Sequence, residues 1–118
     1  MAYPLNENYL SRYLLSLDKT NNFSRMEIVR TILANYKGKP FSASEIGVYG
    51  ISCAMLRAYG VLEIVDCETI QWERINRRGR KVIEEYDRYR YDLAMPIEEL
   101  KTALNRILNS AITTIKEF

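Results

Sequence analysis

A run of cations between positions 74 and 81 is the part of this 118-residue chain whose residue types could do chemistry. Arginine and lysine donate charged hydrogen bonds to phosphate oxygens, and arginine also matches the acceptor edge of guanine. The cations are Arg74, Arg77, Arg78, Arg80 and Lys81. They predict a surface that binds a polyanion. The alternative is a solvated face on which they pair with Glu73, Glu84 and Glu85.

Two neighbouring segments add candidate DNA contacts. A helix predicted to begin at Ser42 would offer free amides to phosphate, so we expect phosphate contacts at its start. These contacts would come from Lys37, Lys39, Ser42 and Ser44. A second short helix, capped by Ser52, is predicted after a tight turn at Gly50, and in such a helix-turn-helix the second helix lies in the major groove of DNA. It would present Tyr49, Ser52, Cys53 and Arg57 to base edges. Only Arg57 has the paired donors that recognise guanine, and its alternative is a plain solvated charge.

Other chemistries find little support in the residues. The chain has no histidine, and its two cysteines, Cys53 and Cys67, are isolated, which argues against a zinc site. We expect both to be buried free thiols. Because no nucleophile motif or glycine-rich phosphate loop is present, the sequence predicts a protein that is not an enzyme and binds no cofactor or metal.

Charge and length limit the remaining classes. Seventeen basic and fifteen acidic residues leave a net charge of only +2, so binding to a polyanion requires local segregation of charge. With 47% apolar residues, the chain is long enough for one domain with a core. It shows no leader and no apolar run near the ~20 residues of a membrane helix, which predicts a cytoplasmic protein without a membrane partner.

The spacing of apolar residues predicts the helices before this region. Residues 6–17 carry apolar side chains at spacings of three and four, as in an amphipathic helix. Ser24 with Glu27, and Ser42 with Glu45, form capping boxes that mark two further helix starts.

Residues 61–93 are predicted to form two strands and a helix. Branched residues favour strands over 61–65 and 69–75, with the acidic segment 66–68 at the tip between them. Apolar residues at helical spacing then favour a helix over 79–93.

The order of these elements predicts a mainly α fold with a small β-hairpin, arranged as a winged helix-turn-helix core with an added helix at each end. We expect an N-terminal amphipathic helix within residues 1–23, the core over 24–93 and a C-terminal helix within 94–118. Pro96 suits the first turn of this last helix, because proline has no amide hydrogen to donate.

Two motifs resemble those of the winged helix-turn-helix proteins of bacteria and archaea, particularly the small regulators. Residues 44–65, SEIGVYGISCAMLRAYGVLEIV, are similar to the family's helix, turn and recognition helix. Residues 75–81, INRRGRK, are similar to its passage from the second wing strand into a helix. In the family the wing tip commonly reaches the minor groove. The acidic tip predicted here departs from that pattern, so either the wing does not touch DNA or its positive surface lies at the base of the wing, around residues 74–81.

An apolar stripe along the C-terminal helix has the spacing of a short coiled coil. About twenty helical residues span roughly 30 Å, which is more than so small a domain needs to cover its own core. A second subunit is therefore the expected partner, and the alternative is that the helix folds back on its own chain; both can hold together. The predicted dimer interface comprises Leu10, Tyr13, Leu14, Leu17, Ile97, Leu100, Leu104, Ile107 and Ala111.

Two functional hypotheses follow from the sequence. The first is a homodimeric transcriptional regulator that binds double-stranded DNA in a sequence-dependent way, with recognition helices in major grooves about 34 Å apart. The second is a winged-helix module that binds a protein partner, as in a partition or assembly adaptor. The few donors on the predicted recognition helix and the acidic wing tip favour the second. The first, the DNA-binding regulator, is nevertheless the function that we predict from the sequence, and the second is its alternative.

Overall fold

The computed structural model describes residues 3–16 and 24–109, and within these ranges it contains five helices and one antiparallel β-hairpin. In chain order the elements are α1 (Glu7–Leu14), α2 (Ser24–Asn35), α3 (Ala43–Ile46), α4 (Gly50–Ala58), β1 (Leu62–Ile75), β2 (Lys81–Leu93) and α5 (Ile97–Asn109). The predicted combination of helices with a hairpin is confirmed. The hairpin is much longer than predicted.

Side chains at the helix starts explain where several helices begin. The side-chain oxygen of Asn6 accepts a hydrogen bond from the amide of Tyr9 at 3.1 Å and caps α1. The predicted capping box of Ser42 and Glu45 is present at α3. The prediction that Ser52 caps α4 is wrong, because Tyr49 holds the cap position and Ser52 is buried inside the helix.

The hairpin replaces the helix that was predicted over 79–93. That prediction is wrong, because β2 pairs with β1 along its whole length, from Leu93 opposite Leu62 to Lys81 opposite Ile75. The side chains of Tyr89, Tyr91 and Leu93 alternate along β2 and so lie on one face of the sheet. The segment carries both a helical spacing and an alternating pattern, and the pairing with β1 selects the strand.

The predicted tip of the hairpin is also wrong. Residues 66–68 lie inside β1, just after a bulge at Val65, and the chain reverses instead at residues 76–80. The side-chain oxygen of Asn76 accepts hydrogen bonds from the amides of Arg78 and Arg80, at 2.9 and 3.0 Å. Gly79 adopts a φ of +75°, which glycine tolerates. The turn is therefore basic.

One core joins the base of the hairpin to the helices. Leu62, Tyr91 and Leu93 are buried there with apolar residues of α1, α2, α4 and α5. Beyond the bulge most side chains are exposed, and we call this part, residues 66–90, the arm. Ten residues of β1 at ~3.3 Å each carry the arm about 33 Å away from the base of the hairpin.

The terminal helices belong to this core, which corrects the predicted dimer interface. The leucines Leu10, Leu14, Leu100 and Leu104 are fully buried within the single chain, and Ile107 is 4% exposed. Tyr13 and Ile97 are half-buried and pack against the same core. The apolar stripe of α5 is thus covered by its own chain, as in the alternative interpretation. Leu17 and Ala111 lie outside the described residues.

Two further expectations concern the thiols and the membrane. Cys53 is buried as predicted, whereas Cys67 is exposed on the arm, so the prediction of burial is wrong for Cys67. Among the described residues, none of the helices has the length and apolar character needed to cross a membrane.

Replacing Gly60 with alanine should destabilise the fold by about 2 kcal/mol. Gly60 has a φ of +83°, and an added Cβ would lie 2.5 Å from the carbonyl oxygen of Pro4. Chemical denaturation of Gly60→Ala measures the loss. Gly38→Ala is the matched control, because Gly38 has a φ of +78° but nothing within 4 Å. A loss no larger than that of the control would contradict the close packing of residues 4–5 on Gly60.

Candidate nucleic-acid interface

The turn at the end of the arm concentrates the positive charge of the protein. Residues 76–81 contain four cations and no acid, so the rest of the chain has a formal net charge of −2. All four side chains are exposed, and within the described ranges none has an acidic partner at salt-bridge distance. They are Arg77, Arg78, Arg80 and Lys81. Their charges are therefore available to an anionic ligand.

Arg74 differs from these four cations. Its Nε donates to the carboxylate of Glu84 on the neighbouring strand, as the alternative interpretation of the basic run expected. An exposed ion pair of this kind contributes little to stability, but it lowers the charge that Arg74 offers to DNA. The predicted group of five cations thus separates into one paired arginine and four cations without an acidic partner in the part of the chain that the structure describes.

A cluster of charges fixes the arm to α3 at the end of the arm that is nearest the helices, which we call its body end. Arg88 Nη2 and Arg90 Nη1 donate to Glu45 Oε1 at 3.1 and 3.2 Å, and Arg88 Nη2 also donates to Ser42 Oγ at 3.2 Å. The amide of Ser42, and then the charges of Arg90 and Arg88, hold the pKa of Glu45 below its ordinary value. The cluster positions the arm.

A tyrosine ties the base of β2 to the end of α2. The Tyr36 hydroxyl donates to the carboxylate of Asp92 at 2.5 Å, and this bond is the largest cause that raises the pKa of Tyr36 to about 12. The backbone of Phe41 also pairs with Tyr91, with N to O distances of 2.8 and 2.7 Å in the two directions. These contacts hold the base of the hairpin against the end of α2 and the segment before α3.

Replacing Glu45 with glutamine should lower the thermal midpoint at neutral pH and have little effect in acid. A carboxylate whose pKa is depressed in the folded state stabilises the fold above the unfolded pKa of ~4.3. This contribution is lost as the pH falls through the lower pKa of the folded state. Thermal melts of the two proteins across this range measure the difference. A difference that stays constant from neutral to acidic pH would contradict the role of the charge.

The structure places several predicted base-reading residues out of reach. Ser52 is 6% exposed and Cys53 is fully buried. The prediction that these two side chains are exposed to base edges is therefore wrong. Arg57 is half-buried, with its guanidinium 4.9 Å from the ring centre of Tyr3. Tyr49 is 80% exposed, and it is the predicted base-reading residue that remains open to a ligand.

The predicted phosphate contacts before α3 are divided in the same way. Ser42 is 2% exposed, and its hydroxyl contacts Ser44 and Arg88, so it is engaged within the protein. Ser44, Lys37 and Lys39 are exposed. These three remain candidates for contact with phosphate.

A groove separates the start of α4 from β2. Its volume is about 680 Å³, and its walls include Tyr49, Ile51 and Ala54 on one side and Tyr86 and Tyr89 on the other. Most of this lining is apolar or aromatic, so the groove offers few donors to base edges. Among the described residues, no group of three or more cysteines, aspartates or glutamates is placed to hold a metal ion.

Comparison with known proteins does not indicate a ligand for this surface. No protein-family model, curated protein or solved structure matches the chain.

Sequence reasoning missed the turn and the cluster around Glu45. An asparagine three residues before a glycine, as in Asn76 and Gly79, is a turn signal that could have located the tip. No local signal pairs Glu45 with Arg88 and Arg90, because they lie more than forty residues apart and meet only through the register of the hairpin.

Proposed function

We propose that this protein binds double-stranded DNA through the basic turn of its arm. The single observation that carries the proposal is the exposed group of four cations at residues 77–81, on a projecting hairpin, which have no acidic partner among the described residues. Neutralising phosphates with such side chains releases condensed counterions, which drives association with DNA. The role is compatible with the cytoplasmic location that the sequence predicts.

The order of the elements supports a winged-helix interpretation of the fold. A helix, α2, is followed by a single bridging residue at Phe41, then by α3, α4 and the hairpin. In this interpretation α4 is the recognition helix and the hairpin is the wing. The predicted acidic tip did not fit the family pattern, in which the wing tip commonly reaches the minor groove. The basic turn fits it, because arginines at a wing tip suit the negative potential of a narrow minor groove.

The charge along the arm supports a contact that is made by the tip. Both strands of the hairpin carry acidic residues, including Glu68, Glu73 and Glu85, which phosphate would repel. The turn itself has none. We therefore propose that the tip reaches the DNA while the shaft of the arm stays away from it.

The mode of binding that we propose depends on phosphate and groove shape more than on base identity. The exposed side of α4 presents Tyr49, Ile51 and Ala54, and the guanidinium of Arg57 is stacked on Tyr3. Hydrogen-bond donors that distinguish base pairs are thus sparse. A regulatory role that needs a specific site remains a prediction of the sequence.

Binding to a panel of fluorescently labelled duplexes of equal length tests this proposal. We expect affinities that vary by less than about tenfold between unrelated sequences, since specific readout gives differences of 10³ or more. The minor-groove contact predicts a modest preference for A·T-rich duplexes, whose groove is narrow. Failure to bind any duplex at low salt would refute the proposed function.

A second candidate function is a module that binds a protein partner. The observation that favours it is the exposed apolar surface at the start of α4, where Tyr49 is 80% and Ile51 72% exposed. Such a surface is more typical of a protein contact than of a DNA contact. Removal of the arginines of the turn would leave this function intact, so the turn separates the two candidates.

A further inference from the structure

Four apolar side chains form a patch on the arm. The register places Ile70 opposite Tyr86, with Trp72 and Val82 on the same face. By alternation this is the outer face, opposite to the face whose residues are buried at the base of the hairpin. Trp72 is 46% and Tyr86 50% exposed. Ile70, Trp72 and Val82 project beyond the core of the protein, whereas Tyr86 also lines the groove beside α4.

An uncovered patch of this kind is unfavourable on a two-stranded ribbon. Such a ribbon is marginally stable in water unless a third strand or another surface packs on it. Contiguous apolar surface on a charged protein commonly marks a contact with another molecule. We therefore expect another molecule to cover the patch.

Charges around the patch limit the choice of partner. Glu68 and Arg88 form an ion pair on its body side, with 3.8 Å between Oε1 and Nε. Arg74 and Glu84 form another toward the turn. Because each pair is neutral, a partner with a strong charge of one sign gains no net electrostatic attraction, and DNA would be repelled by the two carboxylates. A partner surface that carries the same two ion pairs could place an opposite charge over each of these side chains.

We propose that the outer face of the arm binds the outer face of a second copy of this chain, with the two arms antiparallel about a two-fold axis beside Gln71. In this arrangement Glu68 lies over Arg74 of the second copy, and Ile70 lies over its Trp72. The two-fold axis repeats both contacts. The interface is distinct from the buried α1 and α5 stripe and forms without DNA. Because it places each basic turn on the other arm, the dimer and DNA compete for the turn.

The charges at the ends of the arm determine the antiparallel direction. Parallel arms would bring two turns together, each with four exposed cations, and these would repel. Antiparallel arms place each turn over the body end of the other arm. There the outer face carries Glu63 and Asp66, while Arg88 and Arg90 are paired with Glu45. Opposite charges then meet at both ends.

The size of the face predicts a weak dimer. The ten residues of β1 in the arm, at ~3.3 Å each, give a length of about 33 Å, and two strands with their side chains are about 10 Å wide. The resulting area of roughly 330 Å² is less than half of what each partner contributes to a standard interface. We therefore expect a reversible dimer that forms as the protein concentration rises.

Trp72 is the only tryptophan of the chain, so its emission reports directly on the patch. We expect the emission to shift to shorter wavelength with increasing protein concentration, in step with a doubling of the mass in sedimentation equilibrium. Ile70→Ser should abolish both changes. Ile83→Ser is the matched control, because Ile83 is 63% exposed on the opposite face of the same arm, and it should leave both changes intact.

A charge exchange tests the direction of the arms. Glu68 and Arg74 lie six residues apart on one strand, about 20 Å, and cannot contact each other within a chain. Glu68→Arg and Arg74→Glu should each weaken the dimer, and the double variant should restore it. The double variant still lacks both ion pairs within the chain, so restoration must come from contacts between copies.

Three results would overturn this proposal. They are a chain that remains monomeric at all concentrations, a dimer that survives Ile70→Ser, and a double variant that stays monomeric. A shift of Trp72 emission on addition of duplex DNA to the monomeric variant with alanine at positions 77, 78 and 80 would assign the patch to DNA instead and would also overturn it. All measurements of the dimer are made without DNA, so failure of the proposed function leaves them interpretable.

Discussion

Replacing Arg77, Arg78 and Arg80 with alanine should weaken binding to duplex DNA by roughly 100-fold at low salt, with little change between sequences. The three side chains are exposed and have no acidic partner in the described part of the chain, so their loss removes phosphate contacts without breaking contacts within the protein. Fluorescence anisotropy with a labelled duplex measures the affinity. Circular dichroism and the thermal midpoint should be unchanged.

A charge-matched variant separates the turn from net charge. Arg12, Lys101 and Arg106 lie on α1 and α5, and replacing all three with alanine removes the same total charge. We expect this control to bind within a few-fold of the unaltered protein. Equal losses in the two variants would contradict a localised interface, and an unaltered affinity in the turn variant would favour the protein-binding function.

Leu104→Ala should lower the free energy of unfolding by about 3 kcal/mol. Leu104 is fully buried on α5, where the sequence alone suggested an interface between subunits. Because its neighbours belong to the same chain, the loss should be the same at every protein concentration. Urea denaturation at two concentrations, well separated, measures this.

The control for Leu104 lies on the same helix. Thr102 is exposed, and Thr102→Ala should change stability by less than about 0.5 kcal/mol. If the loss in Leu104→Ala instead grows or shrinks with protein concentration, the stripe of α5 packs between copies, and the fold described above is wrong at that point.

Local signals were sufficient to predict several of the helices. The pairing of Ser42 with Glu45 marked the start of α3, since capping depends on residues only three positions apart. The apolar stripe of α5 was also recognised, but its partner was not. Sequence periodicity shows which face of a helix is buried and does not say whether the same chain or another chain covers it.

The hairpin shows where such reasoning fails. Residues 81–93 contain both a helical and an alternating pattern of apolar side chains, and the pairing with β1 decides between them. This pairing is not local. Because of this pairing, the tip is the basic segment 76–80 and not the acidic segment 66–68. The strongest objection to a contact between the wing and DNA is thereby removed.

The candidate site was recognised by composition before its geometry was known. The sequence grouped Arg74 with Arg77, Arg78 and Arg80, although only the register of the hairpin shows that Arg74 is paired with Glu84. Likewise, Arg57 has the chemistry of a base-reading side chain, and its position against Tyr3 depends on residues more than fifty positions away. Which charges are free is a property of the fold.

The salt dependence of duplex binding tests the central claim most directly. If the four cations of the turn each neutralise one phosphate, the logarithm of the binding constant should fall with the logarithm of salt concentration with a slope of about −3.6. The variant with three alanines in the turn should retain a slope of about −0.9. Binding that ignores salt, or a slope that is the same in both proteins, would contradict DNA recognition by the basic turn.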